Sequence, residues 1–492
     1  MQTRNRLQIV CGLAIVAAFL ADRALADQAG RPIDIGSRRE LFVDHLLIDR
    51  MDGVTLQLHE PQPAGVALTF DRPYEGVFAA YVTVLYDGQK YRMYYRGLPA
   101  TRDGQADHSI ASEVTCYAES TDGITWTKPS LGLHEVGSNK DNNVILVRNP
   151  ACHNFAPFLD NRPGVDPPQR FKAVGGNRTV GLLAFVSADG TRWSPLRDEP
   201  IITGGAFDSQ NVVFWSEHEQ AYVCYFRTAK KIGNDSYRWI SRSTSKDFLN
   251  WTPPVEMDMG DVPPTHFYTN QTHPYYRAPH VYVSIFARFI PGRQVLTRED
   301  VRRLGVVGDY FHDVSDACFM TTRGGNRYDR TFLEAFVRPG RGEANWTSRT
   351  NYPALGVVPT ADSMISMYIQ RNYATPTHHL QRLILRPDGF ASVRAGFADG
   401  EMITKPLTFQ GRELALNVST SAAGQVRVEI QDANGAPLPG YALADSKPVI
   451  GDELERVVTW KNGSDVAALA GKPVRLRFVM NEADLYAIQF RQ

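Results

Sequence analysis

Phe207-Asp208-Ser209-Gln210-Asn211-Val212-Val213-Phe214-Trp215 reads as a strand, residues 216–220 as a polar turn, and Ala221-Tyr222-Val223-Cys224-Tyr225-Phe226-Arg227 as the strand that returns. Residues 237–243, rich in aromatic and β-branched side chains, supply a third strand, because such side chains pack well on a pleated surface. Ser245-Lys246-Asp247-Phe248-Leu249-Asn250-Trp251 then turns tightly and delivers a tryptophan to a fourth. One unit of four antiparallel strands is therefore expected here.

The turn recurs. Ser120-Thr121-Asp122-Gly123-Ile124-Thr125-Trp126 and Ser187-Ala188-Asp189-Gly190-Thr191-Arg192-Trp193 match it closely, and Thr322-Arg323-Gly324-Gly325-Asn326-Arg327-Tyr328 is a weaker version with tyrosine for tryptophan. Asp and Gly make the reversal, the hydroxyl ties down backbone N–H groups, and the aromatic ring fills the gap between sheets. The copies lie roughly sixty to eighty residues apart, slightly more than the period of a four-stranded propeller blade. Hairpins precede them: Val82-Thr83-Val84-Leu85-Tyr86 with Tyr91-Arg92-Met93-Tyr94-Tyr95, then residues 208–227, then residues 275–289. A last pair, residues 364–370 and 380–386, ends in Asp388-Gly389-Phe390. These count to about five blades, an all-β ring of sheets with few open edges.

With 492 residues, 11% aromatics and a formal net charge of zero, nothing global points to nucleic acid or to an anionic membrane. Residues 1–26 read as a signal peptide: Arg4 and Arg6 make a basic start, residues 7–20 an apolar run too short to span comfortably, and Ala24-Leu25-Ala26 a small-residue cleavage site. The expected location is periplasmic or secreted, free of the membrane after cleavage; a retained anchor is the alternative. Cys116, Cys152, Cys224 and Cys318 lie in apolar surroundings without metal-ligand spacing and are expected as buried small residues, with a disulfide the alternative after export. Residues 27–73, including Leu41-Phe42-Val43-Asp44, are expected to lead in and brace the ring, and blades to fill residues 74–400. Residues 401–492, with cleanly alternating segments such as Val426-Arg427-Val428-Glu429-Ile430, are expected to form an appended β-sandwich.

In a propeller blade the first strand runs along the axis from one face and the second returns to that face. Residues opening first strands and closing second strands therefore ring one mouth. The openers are Glu75, His153 with Asn154, Asp208, His273 with Asn270 and Gln271, and Arg349 with Tyr352; the closers are Arg96, Arg227, Arg288 and Arg371. Hydrolysis of a glycosidic bond needs two carboxyl groups, one ionised to attack or activate water and one protonated for the leaving oxygen. Asp208 is the first choice and Glu75 the second. Asp313, Asp316 and Glu334, at the upper ends of outer strands, are further acids, and Glu334 in its apolar run suits a proton donor. The plain alternative for each acid is an ion pair with an arginine.

Several arginines at one mouth are costly unless neutralised, so they either hold the acids or receive an anionic sugar, a uronate or a sulfate. His153 and His273 suit sugar hydroxyls more than a metal, and no metal ligand set is assigned. Tyr74, Tyr268, Tyr276 and Tyr352 suit stacking on sugar rings or plain packing. Asp122, Asp189 and Asp247 belong to turns on the far face. No cofactor is required, and a structural calcium ion near the propeller axis stays open.

The lead-in at residues 41–44, the Ser-x-Asp-Gly turns and Arg277-Ala278-Pro279-His280 resemble the five-bladed β-propeller glycosidases of glycoside hydrolase families 32, 43, 68 and 130, and more closely secreted bacterial family-32-like proteins, over residues 38–395. The resemblance implies a blade-one aspartate, a second aspartate and a glutamate acid, and it adds Arg277 to the substrate contacts. Here the blade-one position holds Glu75, no Asn-Asp-Pro-Asn motif occurs, and no Glu-Cys pair stands at the third site, which points away from fructan or sucrose. The expected function is an exported glycoside hydrolase acting on a neutral, sulfated or uronate-bearing glycan. The rivals are a sialidase-like enzyme, which would need about six blades, a phosphorylase, and a glycan-binding protein without turnover. Fold alone does not choose among them, and oligomeric state is not legible.

Overall fold

The computed structural model describes residues 31–492, so the expected signal peptide lies outside the described residues. The described residues divide into two compact units, one of residues 58–391 and one of residues 31–57 with 392–492.

Residues 58–391 form a five-bladed β-propeller of antiparallel sheets. Blade one is Ala80–Tyr86, Tyr91–Gly97, Val114–Ser120 and Val144–Val147, and blade two is Ala156–Leu159, Phe171–Asn177, Gly181–Ser187 and Ser194–Pro195. Blade three is Val212–Ser216, Ala221–Ile232, Asp235–Ser245 and Val255–Glu256. In blade four the inner strand is broken into His266–Thr269 and Thr272–Tyr275, followed by Ala278–Ile290, Val314–Thr322 and Ala335–Val337. Blade five is Val358–Pro359, Ile365–Arg371 and His379–Leu385, and its outer strand comes from the start of the unit, Gln62–Thr69, with Leu380 opposite Leu68.

Strands inside a blade read as apolar runs because both faces of the sheet are covered; Tyr91–Gly97 is buried along its whole length. Tyr94 and Tyr117 pack on Phe155 and Phe185 between blades one and two, and Phe158 packs among Tyr222, Phe226 and Phe248 between two and three. Tyr225 and Trp239 meet Tyr282 and Phe286 between three and four. Phe319 stacks on Phe390 at 5.1 Å between four and five, and Val82 and Met93 meet Tyr368 and Leu380 between five and one. The circle of sheets is closed by apolar contacts at every junction.

The three repeated turns share one set of bonds. The hydroxyls of Ser120, Ser187 and Ser245 accept from the N–H of Gly123, Gly190 and Phe248, each at 2.9 Å. Asp247 Oδ1 accepts from the N–H of Leu249 and Asn250 at 2.8 Å, and Asp122 and Asp189 repeat the pattern. The fourth residue of each turn is left-handed, with φ +72° at Gly123, +74° at Gly190 and +69° at Phe248. Phenylalanine is tolerated there because its ring is buried beside Trp251 and Phe158. The weaker copy at residues 322–328 lacks the aspartate, and its Tyr328 hydroxyl bonds to Thr272 instead. Tyr91 pairs with Ser120 and Arg96 with Ala80, so these turns and the strand openings lie at opposite ends of the sheets.

The other unit is a β-sandwich built on two long strands, Glu413–Asp432 and Val474–Arg491, which pair antiparallel over most of their length. Its core holds Phe42, Met402, Phe409, Trp460, Phe478 and Phe490. The lead-in expected as one brace for the ring divides instead. Ile33–Gly36, Arg39–Leu41 and Ile48–Asp52 pair with C-terminal strands, and only Gln62–Thr69 joins the propeller. The physical reason is pairing: an open strand edge exists on blade five, and residues 62–69 fill it. Blades also end earlier than residue 400, because Ala391–Ala395 and Gly400–Thr404 pair with Val474–Arg491. Cys116, Cys152, Cys224 and Cys318 are free and buried.

Candidate functional site at the propeller mouth

The strand openings surround a cavity of about 200 Å³ lined by Tyr81, Arg96, His153, Asp208, Tyr268, Arg349 and Tyr352, with His108 and Tyr373 among its other walls. Asp208 presents its carboxylate to it, with 54% of the side chain exposed. Arg227 Nε and Nη2 donate to Asp208 Oδ1 and Oδ2 at 3.0 and 2.7 Å. Burial works to raise the Asp208 pKa, but the bonds and charge of Arg227 outweigh it and hold the carboxyl below its usual value. Arg227 also lies over the Tyr268 ring at 4.8 Å.

Arg96 and Arg349 are the excess cations. Arg96 Nη2 donates to the Phe78 carbonyl at 3.0 Å, its guanidinium lies over the Tyr81 ring at 4.7 Å, and its Nε is buried without a partner. Arg349 reaches the Tyr310 hydroxyl at 3.4 Å and lies over that ring at 4.8 Å. Among the described residues neither has a carboxylate at ion-pair distance. Tyr268 and Tyr352 face each other with ring centroids 4.7 Å apart.

Three side chains here depend on backbone that side-chain-bearing residues rarely adopt. Tyr81 has φ +55°, Arg349 +59°, and Phe207, which delivers Asp208, +51°. Each such residue costs on the order of 1–3 kcal/mol, and such strain gathers at sites where a side chain has to be aimed. In blade one the strand register shifts at this point, between Ala80 and Thr83.

Sequence reasoning missed Tyr81, His108 and Glu113 as members of this site. Glu113 Oε1 lies 2.8 Å from His108 Nδ1 and 2.9 Å from His153 Nδ1, and these contacts hold its carboxyl far below the usual value against the opposing effect of burial. Burial, with Arg96 beside it, lowers the His153 pKa despite Glu113. His108 and Glu113 belong to residues 98–113, a loop with no repeat signal. Asp313, close enough to Arg349 to feel its charge and tied through its backbone to Ser348 Oγ at 3.3 Å, has its pKa raised by burial, and its Oδ1 is buried without a partner.

The remaining expected site residues stand elsewhere. Glu75 is fully buried and accepts from the Tyr95 hydroxyl at 2.5 Å, the Arg72 N–H at 2.9 Å and Lys128 Nζ at 2.7 Å. Its Tyr-Glu-Gly position precedes the first inner strand by a full loop, so it is a structural ion pair outside the cavity. Asp316 and Glu334 line a second cavity of about 650 Å³ with Arg288, and Arg288 Nε and Nη2 clamp Asp316 at 2.8 and 2.5 Å. Arg277 pairs with buried Asp388 at 2.9 Å, in the hairpin turn at the far end of blade four. Arg371 is held by Gln381 at 2.9 Å and by Asn351, with no carboxylate at ion-pair distance among the described residues; burial lowers its pKa to about 10 against the weaker opposing charge of Glu60. His273 is locked between the Gln271 carbonyl at 2.9 Å and the Val357 N–H at 3.0 Å, which fixes a neutral ring protonated on Nδ1.

A calcium ion near the axis would need six to eight oxygens, some of them carboxylate. The described inner strands offer amides there, Gln210, Asn211 and Gln271, with Asn211 Oδ1 and Gln271 Oε1 buried and unpartnered, and the acid at their openings, Asp208, is already clamped on both oxygens by Arg227. That donor set does not fit calcium.

No family model matches the chain, and no curated protein matches it. Solved structures similar to it include glycoside hydrolases of propeller families. One described as a glycoside hydrolase is 14% identical, with a TM-score of 0.45, over 68% of this chain and 95% of its own. A glycoside hydrolase family 43 arabinoxylan arabinofuranohydrolase from Bacillus subtilis, in complex with cellotetraose, is 14% identical with a TM-score of 0.41, over 85% of this chain and 96% of its own. A structure from the GH130 family of mannoside phosphorylases and glycoside hydrolases is 13% identical with a TM-score of 0.36, over 71% and 97%. At these identities the chemistry has to be read from this chain's own residues.

Proposed function

We propose that the chain is an exported glycoside hydrolase whose axial cavity takes one terminal sugar bearing a negative charge. The observation that carries this is the charge at the cavity: one half-exposed carboxylate, Asp208, already clamped by Arg227, faces two further guanidinium groups, Arg96 and Arg349, neither of which has a carboxylate at ion-pair distance among the described residues, Glu113 and Asp313 lying farther off. A carboxylate or sulfate on the sugar would complete them. Tyr268 and Tyr352, packed against each other, form part of its wall, and a cavity of about 200 Å³ lies below the roughly 300–1,000 Å³ of drug-sized pockets, which suits a single residue at a chain end.

In this reading Asp208, ionised, attacks the anomeric carbon or activates water. The second carboxyl, which gives its proton to the leaving oxygen, is in this reading Asp313, whose pKa burial raises against the lowering effect of Arg349. A panel of neutral, sulfated and uronate-bearing oligosaccharides, assayed for new reducing ends, tests it. Turnover confined to an anionic class, reduced in both Asp208→Asn and Asp313→Asn, supports the reading; equal turnover of neutral glycans overturns it.

Binding without turnover is the second reading, favoured by one observation: Asp208 is the one carboxylate that lines the cavity itself. In that case Asp313→Asn leaves binding unchanged and no product forms.

A further inference from the structure

His108 Nδ1 and His153 Nδ1 converge on the same oxygen, Glu113 Oε1, at 2.8 and 2.9 Å, and the three ligand atoms lie within 4.8 Å of one another. For both contacts to be hydrogen bonds, each Nδ1 has to carry a proton. Arg96 Nη1, which can only donate, approaches His153 Nδ1 at 3.4 Å. If that nitrogen keeps its lone pair to accept from Arg96, the short contact with Glu113 sets lone pair against lone pair. If it carries a proton, two N–H groups face each other. A cation held by the oxygen and the two Nδ1 lone pairs takes the place of both Glu113 contacts, and Arg96 then keeps its bond to the Phe78 carbonyl.

We propose that His108, Glu113 and His153 bind one divalent transition-metal ion of the zinc class at the rim of the axial cavity. Two imidazoles and a carboxylate are a donor set for zinc and its first-row neighbours, whereas calcium takes oxygens alone. Three protein ligands leave a coordination position open, and His108, His153 and Asp208 line the same cavity. Glu113 is buried, and its Oε1 is the atom on which both imidazoles converge. No ligand spacing signals this site in the sequence, because His153 opens a blade while His108 and Glu113 come from a loop.

The test reads metal, not turnover, so it is independent of the proposed activity. Full-length protein stripped with a chelator is titrated with zinc chloride, and separately with calcium chloride, by calorimetry. One zinc ion per chain is expected, bound at least about tenfold more weakly by His108→Ala and by Glu113→Gln. His108 is half exposed, so its variant leaves the fold intact. The proposal is overturned if folded wild type binds no zinc, if both variants bind it as tightly as wild type, or if calcium is preferred.

Discussion

Asp208 lies open to solvent, yet its carboxylate is clamped on both oxygens by a buried arginine. That combination sets a testable pH dependence. A carboxyl whose folded pKa is depressed contributes stability that is complete above its unfolded value and is lost as pH falls through the folded value. Arg227→Lys keeps a charge but loses the fork, so the Asp208 pKa rises and the acidic limb of the pH–rate profile moves up by about a unit. An unmoved limb would take Asp208 out of the chemistry. Asp247 is the contrasting aspartate: equally ionised, but spent on the N–H groups of Leu249 and Asn250 at the far end of blade three. Asp247→Ala is expected to cost about 1–2 kcal/mol in urea unfolding, as loss of a comparable cap does, with kcat unchanged.

At the scale of elements, the strand that closes the ring is the vulnerable one. Gln62–Thr69 lies more than three hundred residues from its partner His379–Leu385 in the chain, and Leu68 is buried between blades five and one. Leu68→Ala is predicted to destabilise the propeller by roughly 2–5 kcal/mol, read from the denaturant midpoint. The repeated turns made most blades legible in sequence, since serine, aspartate and tryptophan recur at fixed offsets for mechanical reasons. Residues 62–69 carried no such signal: Gln62-Pro63-Ala64-Gly65 resembles a loop, and it is tertiary pairing that makes it a strand. The same holds at the mouth. Topology pointed to Asp208, Arg96, Arg227, Arg349, His153 and Tyr352, because strand ends follow from the blade order. It put Glu75, Asp316 and Glu334 at the cavity although they stand outside it, because loop path and distance from the axis are not written in residue type; Arg277, added by the resemblance, lies in the turn at the far end.

Across the whole molecule, buried neutral histidines set the acid limit. Burial lowers His273 to a pKa of about 4. Unfolding lets it titrate near 6.5, so stability is full above that value and falls between about pH 6.5 and 4, by roughly 2 kcal/mol for this group at pH 5. Urea unfolding at pH 7 and pH 5 should show that loss, with a smaller difference in His273→Gln; equal differences would mean that His273 is already protonated in the native state. Buried ion pairs away from the cavity, Glu75 with Lys128 and Lys172 with Asp160 among them, hold the propeller as well, while at the mouth strained backbone at Tyr81, Phe207 and Arg349 aims the side chains. The most direct measurement is the initial rate of reducing-end release from a uronate- or sulfate-bearing oligosaccharide by wild type and Asp208→Asn at equal concentration. A loss of a hundredfold or more, with folding unchanged, is the expected result. Turnover by Asp208→Asn at the wild-type rate would contradict the account.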